Sequence, residues 1–94
     1  MHYLYIIYSE KLNKYYTGET PDPEHRLKQH NNHYFKINYT KGANDWVLKV
    51  NYSTNSKEEA IVLEKFIKRM KSKKFIEKII SEPSILTEIL YKSK

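Results

Sequence analysis

Two short runs of β-branched and aromatic side chains stand close together at the start of the chain, and they constrain its fold more than any other feature. Residues 3–8 read Tyr-Leu-Tyr-Ile-Ile-Tyr, and residues 14–17 lead into Gly18. Such runs are typical of β-strands, and the polar stretch 9–13 between them has the length of a hairpin loop. The sequence therefore predicts a β-hairpin at the start of the fold.

A helix and a third strand are predicted after the hairpin. Asp22 is suited to cap a helix and Pro23 to occupy its first turn, so we expect a helix over residues 23–30 or slightly beyond. The polar stretch 31–45 has no strong period and is predicted to be a loop. Apolar and polar side chains alternate in residues 46–52, which predicts a strand with four side chains on one face. Those four are Trp46, Leu48, Val50 and Tyr52.

The second half of the chain is predicted to be helical. Ser56 and Glu59 have the spacing of a capping box at the start of a helix over residues 57–71. A shorter helix over residues 73–80 follows, and Pro83 starts a last amphipathic segment. The apolar positions of the long helix recur at helical spacing: Ala60, Leu63, Phe66, Ile67 and Met70.

The order of these elements predicts a small α/β (α+β) sandwich, with a central three-stranded, mostly antiparallel sheet flanked by helices. A chain of 94 residues has room for one domain with one modest core. We expect the main domain to span residues 1–80 and residues 81–94 to form a helical extension of it. That extension either caps the core or forms a dimer seam.

The composition excludes several classes of function and favours a polyanionic partner. The chain has no Cys, which excludes disulfide scaffolds, zinc ribbons and thiol catalysis. It has no signal-peptide pattern and no apolar run approaching the roughly 18 residues of a membrane span, so we expect a cytoplasmic protein without a membrane partner. A net charge of +6 favours nucleic acid first and an anionic membrane surface second.

Five polar side chains follow one another in an informative order. Tyr5 and Tyr16 lie on the two hairpin strands, and Arg26 and His30 lie one helical turn apart on the first helix. Glu64 is at the border of the apolar face of the long helix. Taken singly, each residue has an ordinary structural explanation, as a packed strand tyrosine or a solvated helix residue. The ordered set is more specific than any of its members.

This set resembles the GIY-YIG nuclease family in its small stand-alone form, which is similar to the catalytic module of the bacterial excinuclease C subunit. The first motif reads Tyr-Leu-Tyr, with Tyr3 where the family has Gly. The second reads Tyr-Thr-Gly, with Thr17 in place of the central Ile. Gly18 is expected to let the backbone turn tightly where substrate approaches. The resemblance covers residues 1–80 and includes the Tyr-Thr-Lys-Gly stretch at 39–42.

The resemblance implies an endonuclease that cleaves DNA phosphodiester bonds in repair or processing, with one Mg²⁺ or Mn²⁺. Arg26 is suited to bind a non-bridging phosphate oxygen through its charged fork. Glu64 is expected to hold the ion, because Mg²⁺ keeps several waters and takes the substrate phosphate as another ligand. Tyr5 is expected to orient or deprotonate the attacking water, with the Tyr16 hydroxyl beside it. His30 is placed to bind a phosphate or pass a proton.

A basic stretch follows Glu64, and we expect it to contact the nucleic-acid backbone without reading sequence. The predicted contact residues are Lys65, Lys68, Arg69, Lys71, Lys73 and Lys74. The ordinary alternatives are a solvated helix face and, for Glu64 itself, a surface ion pair with Lys68. Two other functions stay open: a catalytically inactive nucleic-acid-binding module of the same fold, and an interaction domain for an acidic protein. The oligomeric state is also open, and a monomer is compatible with the sequence.

Overall fold

The computed structural model describes residues 1–32 and 42–93, and its sheet begins with the predicted hairpin. Strand β1 (His2–Ser9) pairs antiparallel with strand β2 (Lys14–Thr20), and Tyr5 lies opposite Gly18. Ser9 belongs to β1, so the connecting loop begins one residue later than predicted.

Strand β3 (Val47–Thr54) pairs antiparallel with the other side of β1. The strand order is therefore β2-β1-β3, and the predicted three-stranded antiparallel sheet is confirmed. Because β1 is the central strand and both its faces are covered, Leu4, Ile6 and Ile7 are completely buried. This explains why its sequence is a nearly continuous apolar run rather than an alternating one.

The four residues expected on one face of the third strand do not share a face, so that prediction is wrong, and Trp46 lies just before β3 begins. Val50 pairs with Ile6, whereas Leu48, two residues earlier, pairs with Ile7. One residue of β3 is thus bulged out of the pairing. Consecutive residues of β1 point to opposite faces, so Leu48 and Val50 do as well. Val50 and Tyr52 pack on one face of the sheet, and Trp46 and Leu48 on the other.

Helix α1 (Pro23–Asn31) begins where the sequence predicted. The Asp22 side chain accepts a hydrogen bond from the backbone N–H of His25 at 3.1 Å. This bond satisfies one of the donors that the first turn of a helix leaves unpaired. The fixed entry into α1 matters because the helix carries two of the predicted site residues.

The predicted loop 31–45 falls only partly within the described residues. Asn31 closes α1 and is tied to the start of β3, because its side chain donates to the Trp46 carbonyl at 3.1 Å and accepts from the Trp46 N–H at 2.7 Å. Residues 33–41, with most of the motif at 39–42, lie outside the described residues.

Helix α2 (Lys57–Met70) packs against β1 and β2. The Ser56 side chain accepts a hydrogen bond from the Glu59 N–H at 3.2 Å. The Glu59 carboxylate accepts in turn from the N–H of Asn55 at 2.9 Å, one residue before the position that the capping-box pattern predicts. The helix ends at Lys71, which has the left-handed conformation (φ 49°, ψ 41°).

Helices α3 (Lys73–Ser81) and α4 (Ser84–Lys92) complete the chain. Ser72 separates α2 from α3 and caps α3, since its side chain accepts from the Phe75 N–H at 3.1 Å. Leu86 of α4 is completely buried against the other helices. The C-terminal segment therefore covers part of the core.

Buried side chains form two clusters, one on each face of the sheet. The first, which we call the aliphatic core, contains Leu4, Ile6, Val50, Leu63, Ile67, Ile79 and Leu86. The second, the aromatic core, contains Tyr5, Ile7, Ala43 and Trp46. The aliphatic core includes α4, while the boundary after residue 80 stays a prediction. None of the helices in the described ranges combines the length and the apolar character that a membrane crossing requires.

Candidate active site

Tyr5 lies in the aromatic core with its hydroxyl directed over Gly18 of the neighbouring strand. The side chain is only 1% exposed. A Cβ atom at Gly18 would stand 2.6 Å from the Tyr5 hydroxyl oxygen and 2.8 Å from two carbons of the ring. Such distances are impossible without displacement of the ring, so Gly18 provides the space in which the hydroxyl sits. The predicted backbone role of this glycine is thus replaced by a steric one.

The Tyr5 hydroxyl is hydrogen-bonded to Nε2 of His30 at 2.9 Å. His30 lies on α1 and is 1% exposed. The Tyr16 ring completes the cluster, with its centroid 4.9 Å from the His30 ring and 6.3 Å from the Tyr5 ring. One helix and both hairpin strands thus contribute to a single aromatic cluster, as the ordered set suggested.

Arg26 lies one helical turn before His30, and its positive charge lowers the pKa of Tyr5 against the effect of burial. A guanidinium has no acceptor atom, so of these two neighbours only the His30 ring nitrogen can accept the Tyr5 proton. The two residues of α1 therefore act on the same hydroxyl, His30 as its hydrogen-bond partner and Arg26 as a nearby positive charge.

Burial controls the protonation of this cluster. It raises the pKa of Tyr5 well above its usual value, and nearby Tyr16 adds to the rise, while Arg26 opposes it. Burial and, second, the charge of Arg26 lower the pKa of His30 to about 4. At neutral pH Tyr5 is therefore a phenol and His30 a neutral imidazole, which is the pair of states that lets the phenol donate to the ring nitrogen.

Glu64 reaches the same cluster from α2. Its charge contributes to the raised pKa of Tyr5, and its side chain is 22% exposed. A Glu64 carboxylate oxygen accepts from the Lys68 Nζ at 2.7 Å, and that Nζ lies 5.4 Å from the centroid of the Tyr16 ring. The surface ion pair that formed the ordinary alternative is therefore present, but it lies beside Tyr16.

The structure thus brings all five residues of the ordered set together from four separate elements. The remaining motif residue, Tyr3, is half-buried on β1 opposite Thr20. It makes none of the described contacts with the cluster.

The predicted basic contact residues divide into two groups. Lys68, Lys71 and Lys73 line a groove that runs along β2 and includes Tyr16 in its wall. This placement follows from helical spacing, since positions 64, 68 and 71 lie on one stripe of α2. The other three do not line the groove: Lys65, Arg69 and Lys74. Arg69 instead lies 5.5 Å from the centroid of the Phe66 ring.

Two groove residues were missed in the sequence, Lys14 and Asn13. The Asn13 side chain accepts a hydrogen bond from the Lys73 Nζ at 2.8 Å and another from the Tyr8 hydroxyl at 2.6 Å. The only local signal for Asn13 is that Asn tolerates the left-handed turn conformation it adopts (φ 52°). Its bond to Lys73 joins positions sixty residues apart, so no local pattern could have indicated it.

A divalent cation can be tested against the donor atoms of the site. In the described part of the chain no three His, Asp or Glu side chains are grouped as metal ligands. Glu64 is a single carboxylate, near the phenol of Tyr5. This donor set does not suit zinc, which takes three or four protein ligands. It suits Mg²⁺, which binds through one or two carboxylates while it keeps waters and takes phosphate oxygens.

A comparison with protein-family models agrees with the geometry. The model of the GIY-YIG catalytic domain matches residues 1–78, which is most of the 94-residue chain. The chain therefore belongs to the GIY-YIG superfamily, whose members are generally endonucleases. The domain implies nuclease-type activity on nucleic acid. No curated protein and no solved structure matches the chain significantly.

Proposed function

We propose that this protein is a metal-dependent endonuclease that hydrolyses DNA phosphodiester bonds, in DNA repair or processing in the cytoplasm. The observation that carries the proposal is the Tyr5 hydroxyl hydrogen-bonded to neutral His30, with the charges of Arg26 and Glu64 acting on it. A phenol in this position has both a proton acceptor and a cation as neighbours. Both are needed by a group that activates water beside a phosphate.

The proton movement follows from the hydrogen bond between Tyr5 and His30. As water attacks phosphorus, the Tyr5 oxygen takes a proton from the water while its own proton passes to Nε2 of His30. Oxygen from the water forms the new bond to phosphorus. The ester bond breaks with its electron pair on the leaving oxygen, which then takes a proton from solvent. Proton transfer through Tyr5 avoids a free phenolate, which burial makes costly.

Bound substrate makes His30 a better proton acceptor. The pKa of the ring is low because the ring is buried and faces the charge of Arg26. A phosphate bound to Arg26 places negative charge beside that guanidinium, so the pKa of His30 rises when the substrate is in place. Arg26 itself stabilises the negative charge that develops on the non-bridging oxygens.

Glu64 is the residue that would hold Mg²⁺ or Mn²⁺. When bound, the ion would neutralise charge on the phosphate and stabilise the leaving oxygen. The carboxylate is partly exposed and forms an ion pair with Lys68, and a metal ligand of this kind binds in its deprotonated form.

The experiment is a nicking assay on supercoiled plasmid with Mg²⁺ or Mn²⁺, with EDTA as the blank. Glu64→Gln removes the carboxylate and should abolish cleavage. Glu58→Gln is the matched control, because Glu58 is exposed in the first turn of the same helix, and it should cleave at the parental rate. If Glu64→Gln also cleaves at the parental rate, the metal site is wrong and Glu64 is only the surface partner of Lys68. Binding without nicking by the parental protein would favour the inactive binding module.

A further inference from the structure

The groove along β2 is separate from the buried cluster and opens beside it. It has a volume of about 620 Å³. One wall is β2, which forms one edge of the described sheet. The other wall is built by the end of α2 and the start of α3, which meet at Lys71. Tyr16 belongs both to this groove and to the cluster, so whatever fills the groove lies next to the candidate active site.

The groove has an apolar floor and a cationic rim. Ile76 and Tyr15, both half-buried, supply apolar and aromatic surface, and the buried side chain of Ile67 also lines the groove. The lysines that line it are Lys14, Lys68, Lys71 and Lys73. Among the described residues no acidic side chain lines the groove, and Glu77, which accepts from the Tyr15 hydroxyl at 3.5 Å, stays outside the lining. The occupant must therefore combine a flat or apolar body with negative charge.

Two of the four rim lysines are held by hydrogen bonds. The Lys73 Nζ donates to the side chain of Asn13, another residue of the groove lining, at 2.8 Å. Lys68 is held by Glu64 at 2.7 Å. Lysines held in place lose less conformational entropy when an anion binds between them.

We propose that this groove binds an unpaired nucleotide of the substrate strand next to the scissile phosphate, with the base on the apolar floor and its phosphates on the lysine rim. The proposal rests on the proposed function, since it places the nucleotide beside Tyr16. Charge complementarity selects a polyanion, and the apolar floor selects one whose bases are accessible. Single-stranded nucleic acid meets both conditions, because basic grooves with aromatic surface are how proteins bind it.

A fully paired duplex does not use this groove in the same way. Its bases are stacked inside, so it presents only sugar and phosphate to a protein that tracks its backbone. The lysines could contact such a backbone, but the apolar floor at Ile76 and Tyr15 would make no contact with a base. We therefore expect a substrate with an overhang, flap or gap rather than continuous duplex.

The test uses two fluorescein-labelled DNA hairpins with the same paired stem, one blunt and one with a short oligothymidine extension. Binding is measured by fluorescence anisotropy in EDTA, so that cleavage does not interfere. The parental protein should bind the extended hairpin about tenfold more tightly than the blunt one, as the stacking of one base would provide.

Two double variants remove the same charge from different places. Lys71→Asn with Lys73→Gln alters the groove, and Asn keeps the left-handed conformation accessible at position 71. Lys65→Gln with Lys74→Gln removes two lysines outside the groove. The groove variant should bind both hairpins equally, to within about twofold, whereas the control binds both less tightly and keeps the tenfold preference. Thermal melts show that both variants are folded.

Equal loss of preference in both double variants would overturn the proposal, since charge alone would then account for binding. No preference in the parental protein would overturn it as well. Plasmid nicking by the same preparation separates this result from the proposed function. A preference for the extended hairpin without plasmid nicking would support the groove proposal and contradict the nuclease proposal. Nicking without that preference would support the nuclease proposal and contradict the groove proposal.

Discussion

The two faces of β1 carry different kinds of residue, although they alternate along one strand. Leu4 and Ile6 point into the aliphatic core, where their neighbours are other aliphatic side chains of the helices. Tyr5 points the other way, into the aromatic core, and its hydroxyl is hydrogen-bonded to His30. All four of these side chains are at most 1% exposed.

The difference shows how one strand serves stability and chemistry at once. The aliphatic core requires only the right volume, and its side chains make no directional bonds. The aromatic core contains a phenol and an imidazole, whose burial is tolerable only because they are hydrogen-bonded. Substitutions on the aliphatic face should therefore lower stability with little effect on turnover. Substitutions at Tyr5 or His30 should lower turnover with little effect on stability at neutral pH.

The largest expected effect is the loss of cleavage in Tyr5→Phe. The change removes only the hydroxyl, so turnover should fall on the order of 10³-fold while the free energy of unfolding changes by about 1 kcal/mol. Tyr52→Phe is the matched control, since the Tyr52 hydroxyl bonds to Thr87 on the other face at 2.5 Å. Plasmid nicking and urea denaturation of both variants measure the two effects. Parental turnover by Tyr5→Phe would remove the proton route.

On the aliphatic face the largest effect should be on stability. Leu63→Ala removes a completely buried side chain and should lower the free energy of unfolding by about 3 kcal/mol, because a cavity is left behind. Turnover per folded molecule should stay within about twofold, since no site residue moves. Val62→Ala, at a 39% exposed position on the same helix, should have a small effect on both. A collapse of turnover in folded Leu63→Ala would show that the two faces are coupled.

The third effect is the pH dependence that His30 gives to stability. Its pKa in the folded protein is about 4, below the value of 6.5 expected in the unfolded chain. Between these values the unfolded state binds the proton first, so stability is full above about pH 6.5 and falls as the pH drops towards 4, by on the order of 2–3 kcal/mol.

Denaturation with urea at several pH values checks this expectation. His30→Gln keeps a neutral polar side chain beside the Tyr5 hydroxyl. It should flatten the dependence of stability on pH between pH 6.5 and 4 relative to the parental protein. His25→Gln, at an exposed position on the same helix, should retain the parental profile. Carboxylates titrate in all three proteins, so the difference between the profiles isolates His30. Parallel profiles for the parent and His30→Gln would contradict a buried neutral imidazole.

The elements were predictable because each leaves a local signal, such as a strand run or a helix cap. The membership of the cluster was predictable in another way, because the ordered set that includes Tyr5, Arg26 and Glu64 resembles the GIY-YIG family. The bulge that places Leu48 and Val50 on opposite faces of the sheet could not be predicted from the sequence. The alternation from Trp46 onwards looks regular, and a bulge depends on how the partner strand pairs.

The division of the basic residues was readable only in part. Helical spacing places Lys68 and Lys71 on the stripe of Glu64 and turns Lys65 away from it. The position of Lys73 depends on how α3 leaves α2 at the left-handed residue, and its bond to Asn13 depends on the tertiary fold. The sequence therefore indicated a basic surface and part of its division, but not the position of Lys73 in the groove.

The smallest expected effect on stability concerns Lys71, which lies outside the two faces of β1. At this position a substitution that raises stability should weaken binding. It adopts the left-handed conformation, which is costly for a residue with a side chain and favourable for Gly at the end of a helix. Lys71→Gly should raise the free energy of unfolding by about 0.5–1 kcal/mol.

The same change removes one lysine from the groove rim, so binding of the extended hairpin should weaken about threefold to tenfold. Lys71→Ala is the matched control, because it loses the same charge but keeps a Cβ in the left-handed conformation. It should bind as weakly as Lys71→Gly without any gain in stability. Urea denaturation and anisotropy on the three proteins separate the two effects. If Lys71→Gly is more stable and binds as tightly as the parent, neither the charge nor the strained backbone of Lys71 contributes to binding. The rim then consists of the remaining lysines.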